Sequence, residues 1–120
     1  SRQQTTVIER EGTGVETAIQ RLQNNDREFG FVVGKDLRFI GVVTVEALER
    51  QHRTGGTLQE AAVREINAVS SDTPLNQLLG EVAESRFGVP VVDDKGRYKG
   101  VLTRAALLRT LDRESEENHV

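Results

Sequence analysis

The chain has no cysteine, no methionine and no tryptophan, and its only prolines are Pro74 and Pro90. Without cysteine there are no disulfides, thiolate metal sites or cysteine nucleophiles. Four Phe and one Tyr are the whole aromatic complement, so the core must be built from Val, Leu, Ile and Ala. No apolar run approaches about 18 residues, so no segment reads as a membrane-spanning helix, and no signal-like stretch opens the sequence. A formal net charge of −3 supplies no basic field to attract nucleic acid. The missing methionine and the opening at Ser1 read together as a piece of a longer protein.

What is present is present twice. Gly41-Val42-Val43-Thr44 returns 59 positions on as Gly100-Val101-Leu102-Thr103. Phe29-Gly30-Phe31-Val32-Val33 returns as Phe87-Gly88-Val89-Pro90-Val91-Val92, and the row Val15, Ala18, Ile19, Leu22 as Leu75, Leu78, Leu79, Val82. A period near 60 is too long for a solenoid unit and suits two copies of a small α+β module. A lone copy of that size would bury only about 60% of its unfolded surface, which is marginal. The copies are therefore expected to share a buried face across a pseudo-twofold axis.

Copy one spans residues 1–54. It opens on the β-branched stretch Thr5-Thr6-Val7-Ile8, and Thr13 is placed to cap a helix ending at Asn24-Asn25-Asp26. Phe29–Val33 reads as a buried strand, Gly34-Lys35-Asp36 as a turn, and Arg38–Val43 as the returning strand of a hairpin. Thr44 caps a second helix running to about His52. Residues 55–65 form a linker in which Thr57-Leu58-Gln59-Glu60 has the form of a capping box opening a short helix. Copy two, residues 66–113, has a leading strand over Ile66–Ser70. Thr73-Pro74 then reads as a cap and first helical residue of a helix to Ser85. Strands near Val89–Val92 and Arg97–Leu102 follow, with a closing helix after Thr103. Residues 114–120 read as a loose acidic tail, and the looseness is expected to begin at Asp112.

Few residues suit catalysis. His52 sits at a helix end and His119 in the tail, Ser70-Ser71 has no base in its neighbourhood, and no phosphate-binding Gly-x-x-x-x-Gly-Lys-Ser/Thr loop occurs. Neither a metal site nor an enzymatic activity is expected of this chain.

The strand–helix–strand–strand–helix order of each copy, the repeat length and the step from Gly41 to Thr44 and from Gly100 to Thr103 resemble a tandem CBS domain. The resemblance covers essentially the whole chain. Asp26-Arg27-Glu28-Phe29-Gly30-Phe31-Val32, Val89-Pro90-Val91-Val92-Asp93 and Leu107-Leu108-Arg109-Thr110-Leu111-Asp112-Arg113-Glu114 narrow it. They are similar to the C-terminal part of the ATP-binding subunits of bacterial glycine betaine/L-proline ABC importers. The resemblance implies a regulatory module biasing transport in response to ionic strength or a ligand. The implied partners are a second copy, the parent ATPase domain, a membrane permease and an anionic membrane surface. The implied location is the cytoplasmic face of the bacterial plasma membrane. A purely structural dimerisation module, or an adenosine or cyclic-dinucleotide receptor, is the alternative.

Nucleotide-binding members of that family carry Gly-φ-φ-Thr-x-x-Asp. The resemblance therefore makes Thr44 and Thr103 ligand candidates, with Gly41, Gly100, Val69, Ser70 and Pro90 beside them. Each threonine equally serves as a plain helix cap without any ligand. Both aspartates are replaced, by Ala47 and Ala106. A hydrogen bond to a charged acceptor contributes about 1.5–3 kcal/mol, so affinity should fall about 10- to 150-fold per site. No cofactor is required, and tight adenine-nucleotide binding is disfavoured. Lys35 and Arg38 in the first hairpin tip, with Lys95, Arg97 and Lys99 in the second, are candidates for contact with anionic lipid. They are equally what a solvated turn would carry.

Overall fold

A computed structural model describes residues 6–117, with side chains through Arg113. The chain divides into two compact units, residues 1–66 and 67–120.

In the first unit, β1 (Ile8–Arg10) runs parallel to β2 (Phe29–Val33), which runs antiparallel to β3 (Phe39–Thr44). A parallel pair needs a crossover, and α1 (Val15–Asn24) supplies it. Its i, i+3, i+7 spacing buries Val15, Ala18 and Leu22 on one face. Thr13 does not cap it. The helix starts from Gly14 with no side-chain cap, and the Thr13 N–H closes a turn on Arg10 O at 3.1 Å. β1 also starts later than the β-branched run suggests, and Thr5 lies outside the described residues.

Helix α2 (Val45–Thr54) extends past His52 and stops at Gly55, whose φ of 74° is left-handed. There the Gly56 N–H closes on Gln51 O at 2.8 Å. Thr57 and Glu60 form the reciprocal capping box of α3 (Leu58–Ala61), the short helix that the sequence implies. This segment is no free linker. Leu58 and Ala61 are buried with Leu48 and Leu22 in the first core, and Val63 bridges to Val42 on β3. Those contacts place residues 55–65 inside the first unit.

In the second unit, β4 (Val89–Val92) and β5 (Tyr98–Leu102) form an antiparallel hairpin between α4 (Leu75–Glu84) and α5 (Arg104–Glu117). The leading strand expected over Ile66–Ser70 shrinks to one parallel bridge, Val69 with Val91. Val69 alone of that run is buried. Thr73 does not cap α4 either: its Oγ1 accepts from Ser70 N at 3.1 Å, and the helix begins from Pro74. α5 continues to Glu117, through positions the composition suggests are loose, and 118–120 lie outside the described residues. Val69, Val82 and Val89 are the buried apolar centre here. Leu75 and Leu108 are each 58% exposed.

The two hairpins match rung for rung. Pairing slips between Val32 and Val33, leaving Ile40 unpaired, and between Val91 and Val92, leaving Lys99 unpaired. This register sets Gly41 against Gly100, Phe31 against Pro90 and Glu9 against Val69. It also sets Leu37 (φ 64°) against Gly96 (φ 77°). A left-handed leucine costs about 1–2 kcal/mol that glycine does not.

Candidate functional site

Each threonine singled out ends a hairpin and begins a helix. Thr44 closes β3, and its Oγ1 accepts from Ala47 N at 3.1 Å. Thr103 Oγ1 accepts from Ala106 N at 3.0 Å at the head of α5. Ala47 and Ala106, three residues after the threonines, thus supply the N–H groups that hold the caps. Each hydroxyl keeps its hydrogen to donate elsewhere, while no carboxylate stands three residues on.

Gly41 and Gly100 share a rung but not a setting. A Cβ at Gly41 would fall on the Val63 carbonyl oxygen, whereas one at Gly100 would meet nothing within 4 Å. Val69, Ser70 and Pro90 lie together in the second unit. Val69 N donates to Pro90 O at 2.9 Å, and Ser70 Oγ accepts from Asp72 N at 3.3 Å. Pro90 and Val69 are buried, so their side chains pack inward, and the backbone at Ser70 is tied up in its own turn with Thr73.

The hairpin tips differ in charge. At the first tip, Lys35 and Arg38 are exposed beside the exposed Leu37. At the second, Asp93 draws its neighbours in. Its Oδ1 accepts from Lys95 N and Arg97 N, both at 2.9 Å, and its Oδ2 accepts from Arg97 Nε at 2.7 Å. Lys99 Nζ lies 4.0 Å away. The Arg97 N–H, backed by the guanidinium and the Lys95 N–H, lowers the Asp93 carboxyl to about 2. A depressed acid stabilises the fold above its unfolded value and loses that contribution as pH falls through the native one. The turn should hold until pH approaches about 2. Asp93→Ala is expected to speed amide exchange at Lys95 and Arg97; unchanged exchange would show that the clamp is unimportant. Asp93 was legible in principle, since an Asp opening a turn three residues before Gly96 is an Asx-type turn signal.

Among the described residues no cluster of His, Asp and Glu suits a metal ion, and no helix is long and apolar enough to cross a membrane. His52 lies in the last turn of α2, and His119 is outside the described residues.

Paired hairpin-and-helix units with a capping threonine at each strand-to-helix step define the class. Residues 58–113 match the CBS domain family, and the chain has the fold of a CBS pair. That fold is shared with Staphylococcus aureus OpuCA at a TM-score of 0.79 and 21% identity, over 92% of this chain and 95% of that one. A Listeria monocytogenes CbpB structure in complex with c-di-AMP gives a TM-score of 0.78 at 13% identity, over 94% and 91%.

By sequence the chain resembles the C-terminal region of the glycine betaine/proline betaine transport system ATP-binding protein ProV of Salmonella typhimurium. Identity is 35% over 107 residues, 89% of this chain. The chain spans 27% of that relative's length.

Proposed function

We propose that this chain is the regulatory CBS-pair module of the ATP-binding subunit of a glycine betaine/L-proline importer. It would bias transport in response to ionic strength or a bound ligand. The single observation carrying this reading is the match to ProV over 89% of the chain, set on a duplicated CBS fold. The ATPase domain and the membrane permease are then partners outside the chain, and the module would sit at the cytoplasmic face of the membrane. No residue of this chain is assigned a step in hydrolysis.

The ionic version draws on both tips. Lys35 and Arg38 at the first, and Lys95 and Lys99 at the second, are exposed, whereas Arg97 is held by Asp93. A cation near an anionic surface contributes about 1 kcal/mol, and the screening length falls from about 8 Å at physiological salt to about 3 Å at 1 M. The chain is expected to bind phosphatidylserine vesicles and to release them as salt rises. The K35Q/R38Q variant should bind about 30-fold more weakly. Vesicle binding indifferent to salt, or none, removes the ionic version.

A cyclic-dinucleotide receptor is the second reading, favoured by the likeness to a CBS protein solved with c-di-AMP. In a thermal-shift panel it calls for stabilisation by c-di-AMP. AMP is expected to give less, because Ala47 and Ala106 stand where nucleotide-binding members of the family carry aspartate. Exposed Leu75, Leu79, Leu108 and Leu111 support self-association of the module through helix faces. Sedimentation tests that part.

A further inference from the structure

β1 buries a charge. Glu9 is fully buried, and neither carboxylate oxygen has a hydrogen-bond partner. Among the described residues one cation reaches it: Arg21 on α1 brings Nη1 to 3.2 Å from Oε1, with 49% of its own side chain in solvent.

The remaining surroundings are apolar or turned away. β2, which pairs Val32 with Glu9, carries no ionisable side chain over Phe29–Val33. On α1, Glu16 is exposed, leaving Arg21 as the helix's charge at this spot. Arg10 alternates to the other face of the strand and is exposed. Glu11 shares the face of Glu9 by that alternation but is exposed, and its carboxylate lies against Gly34. Arg27, between α1 and β2, sets its guanidinium over the Phe29 ring at 5.0 Å.

The fold does not require this carboxylate. On the equivalent rung of the second unit stands Val69, buried and paired with Val91 as Glu9 pairs with Val32. An ion pair with one member desolvated and the other half in water returns less than the desolvation takes. A neutral carboxyl is the less costly occupant of such a position. Burial accordingly raises the Glu9 carboxyl above its usual range, against a smaller downward pull from Arg21.

We propose that Glu9 is a proton-binding switch of the first unit, trading its ion pair with Arg21 for a proton on acidification and so altering the hold of α1 on the sheet. The step is a simple uptake. One carboxylate oxygen takes a proton from solvent, Arg21 stays protonated and turns to water, and the unit gains one positive charge. Because the native acid is raised, the folded chain binds this proton more tightly than the unfolded chain does. The resulting stabilisation is complete below the unfolded carboxylate value and is lost as pH rises through the native one. None of this depends on the transport assignment.

The test is a carbon-detected carboxyl titration of the 120-residue chain, with thermal melts of wild type, Glu9→Gln, Glu9→Val and Arg21→Gln. Glu9 should titrate above every exposed glutamate, and Arg21→Gln should move its midpoint further up. The amide resonances of Arg21 and Leu22 should follow the same midpoint. Glu9→Gln and Glu9→Val should melt about 4–8 °C above wild type near pH 8, with the gap closing for Gln and narrowing for Val near pH 4. The proposal is overturned if Glu9 titrates with the exposed glutamates in the unaltered chain. It is equally overturned if those amides ignore the Glu9 midpoint, or if the melting gap is the same at both pH values.

Discussion

Gly41→Ala is expected to destabilise the chain by about 2–4 kcal/mol, while Gly100→Ala on the same rung of the other hairpin leaves it unchanged or slightly more stable. The added methyl at Gly41 would fall on the Val63 carbonyl. Val63 and Val42 exchange two backbone hydrogen bonds, at 3.0 and 2.8 Å. Either that bridge opens, or β3 bends away. Opening forfeits both bonds, at about 0.5–1.5 kcal/mol each, and loosens the segment that seats Leu58 and Ala61 in the core. Gly100 has no such neighbour, and alanine in a strand is favoured over glycine by about 0.5–1 kcal/mol. Urea unfolding of both variants, with amide exchange at Val42 and Val63, separates the cases. Equal effects of the two substitutions would show that the close approach is not what makes Gly41 necessary.

Leu22→Ala should remove about 2–5 kcal/mol, since the side chain is fully buried and the vacated space is walled by a core that relaxes only partly. Its Cδ2 lies 3.2 Å from where a Cβ on Gly30 would sit, so the strand is already pressed against it. Leu75→Ala, by contrast, should change the stability of the monomer, at concentrations below self-association, by no more than about 0.5 kcal/mol. Leu75 stands in the same apolar row of the second copy as Val15 does in the first, yet it is 58% exposed where Val15 is 8% exposed. Thermal melts of the two variants give the comparison. A Leu75→Ala loss as large as that of Leu22→Ala would mean that this helix face is covered by another molecule.

The elements that the sequence revealed are those held by local chemistry. The capping box at Thr57 and Glu60 and the caps at Thr44 and Thr103 involve partners three residues apart, so a linear reading finds them. Thr13 and Thr73 look equally suited to capping, but their hydroxyls do not decide where the helix starts. The turn on Arg10 O moves the start of α1 to Gly14, and Ser70 N claims the Thr73 hydroxyl. The leading strand at Ile66–Ser70 failed for a tertiary reason: one rung, at Val69, is all that the partner strand accepts.

At the candidate site, Thr and Ala identities were plain from the repeat. The capture of Arg97 by Asp93, and the burial of Glu9, needed three-dimensional neighbours. Period-two patterning even argues for a hydrophobic side chain at Glu9, because Val7 two residues earlier is in the core. Nothing in a window of the sequence announces that the rule is broken there.

The shared one-residue slip at Ile40 and Lys99 bears on ancestry. A slip bends its strand and sharpens the local twist, and here both hairpins bend at the same rung. A single forebear segment, later copied, would leave this shared position. On that chronology, the leucine–glycine contrast at the tips and the carboxylate–valine contrast on the leading rungs are younger than the copying. They record how two once-identical halves diverged after they came to be inherited as one chain.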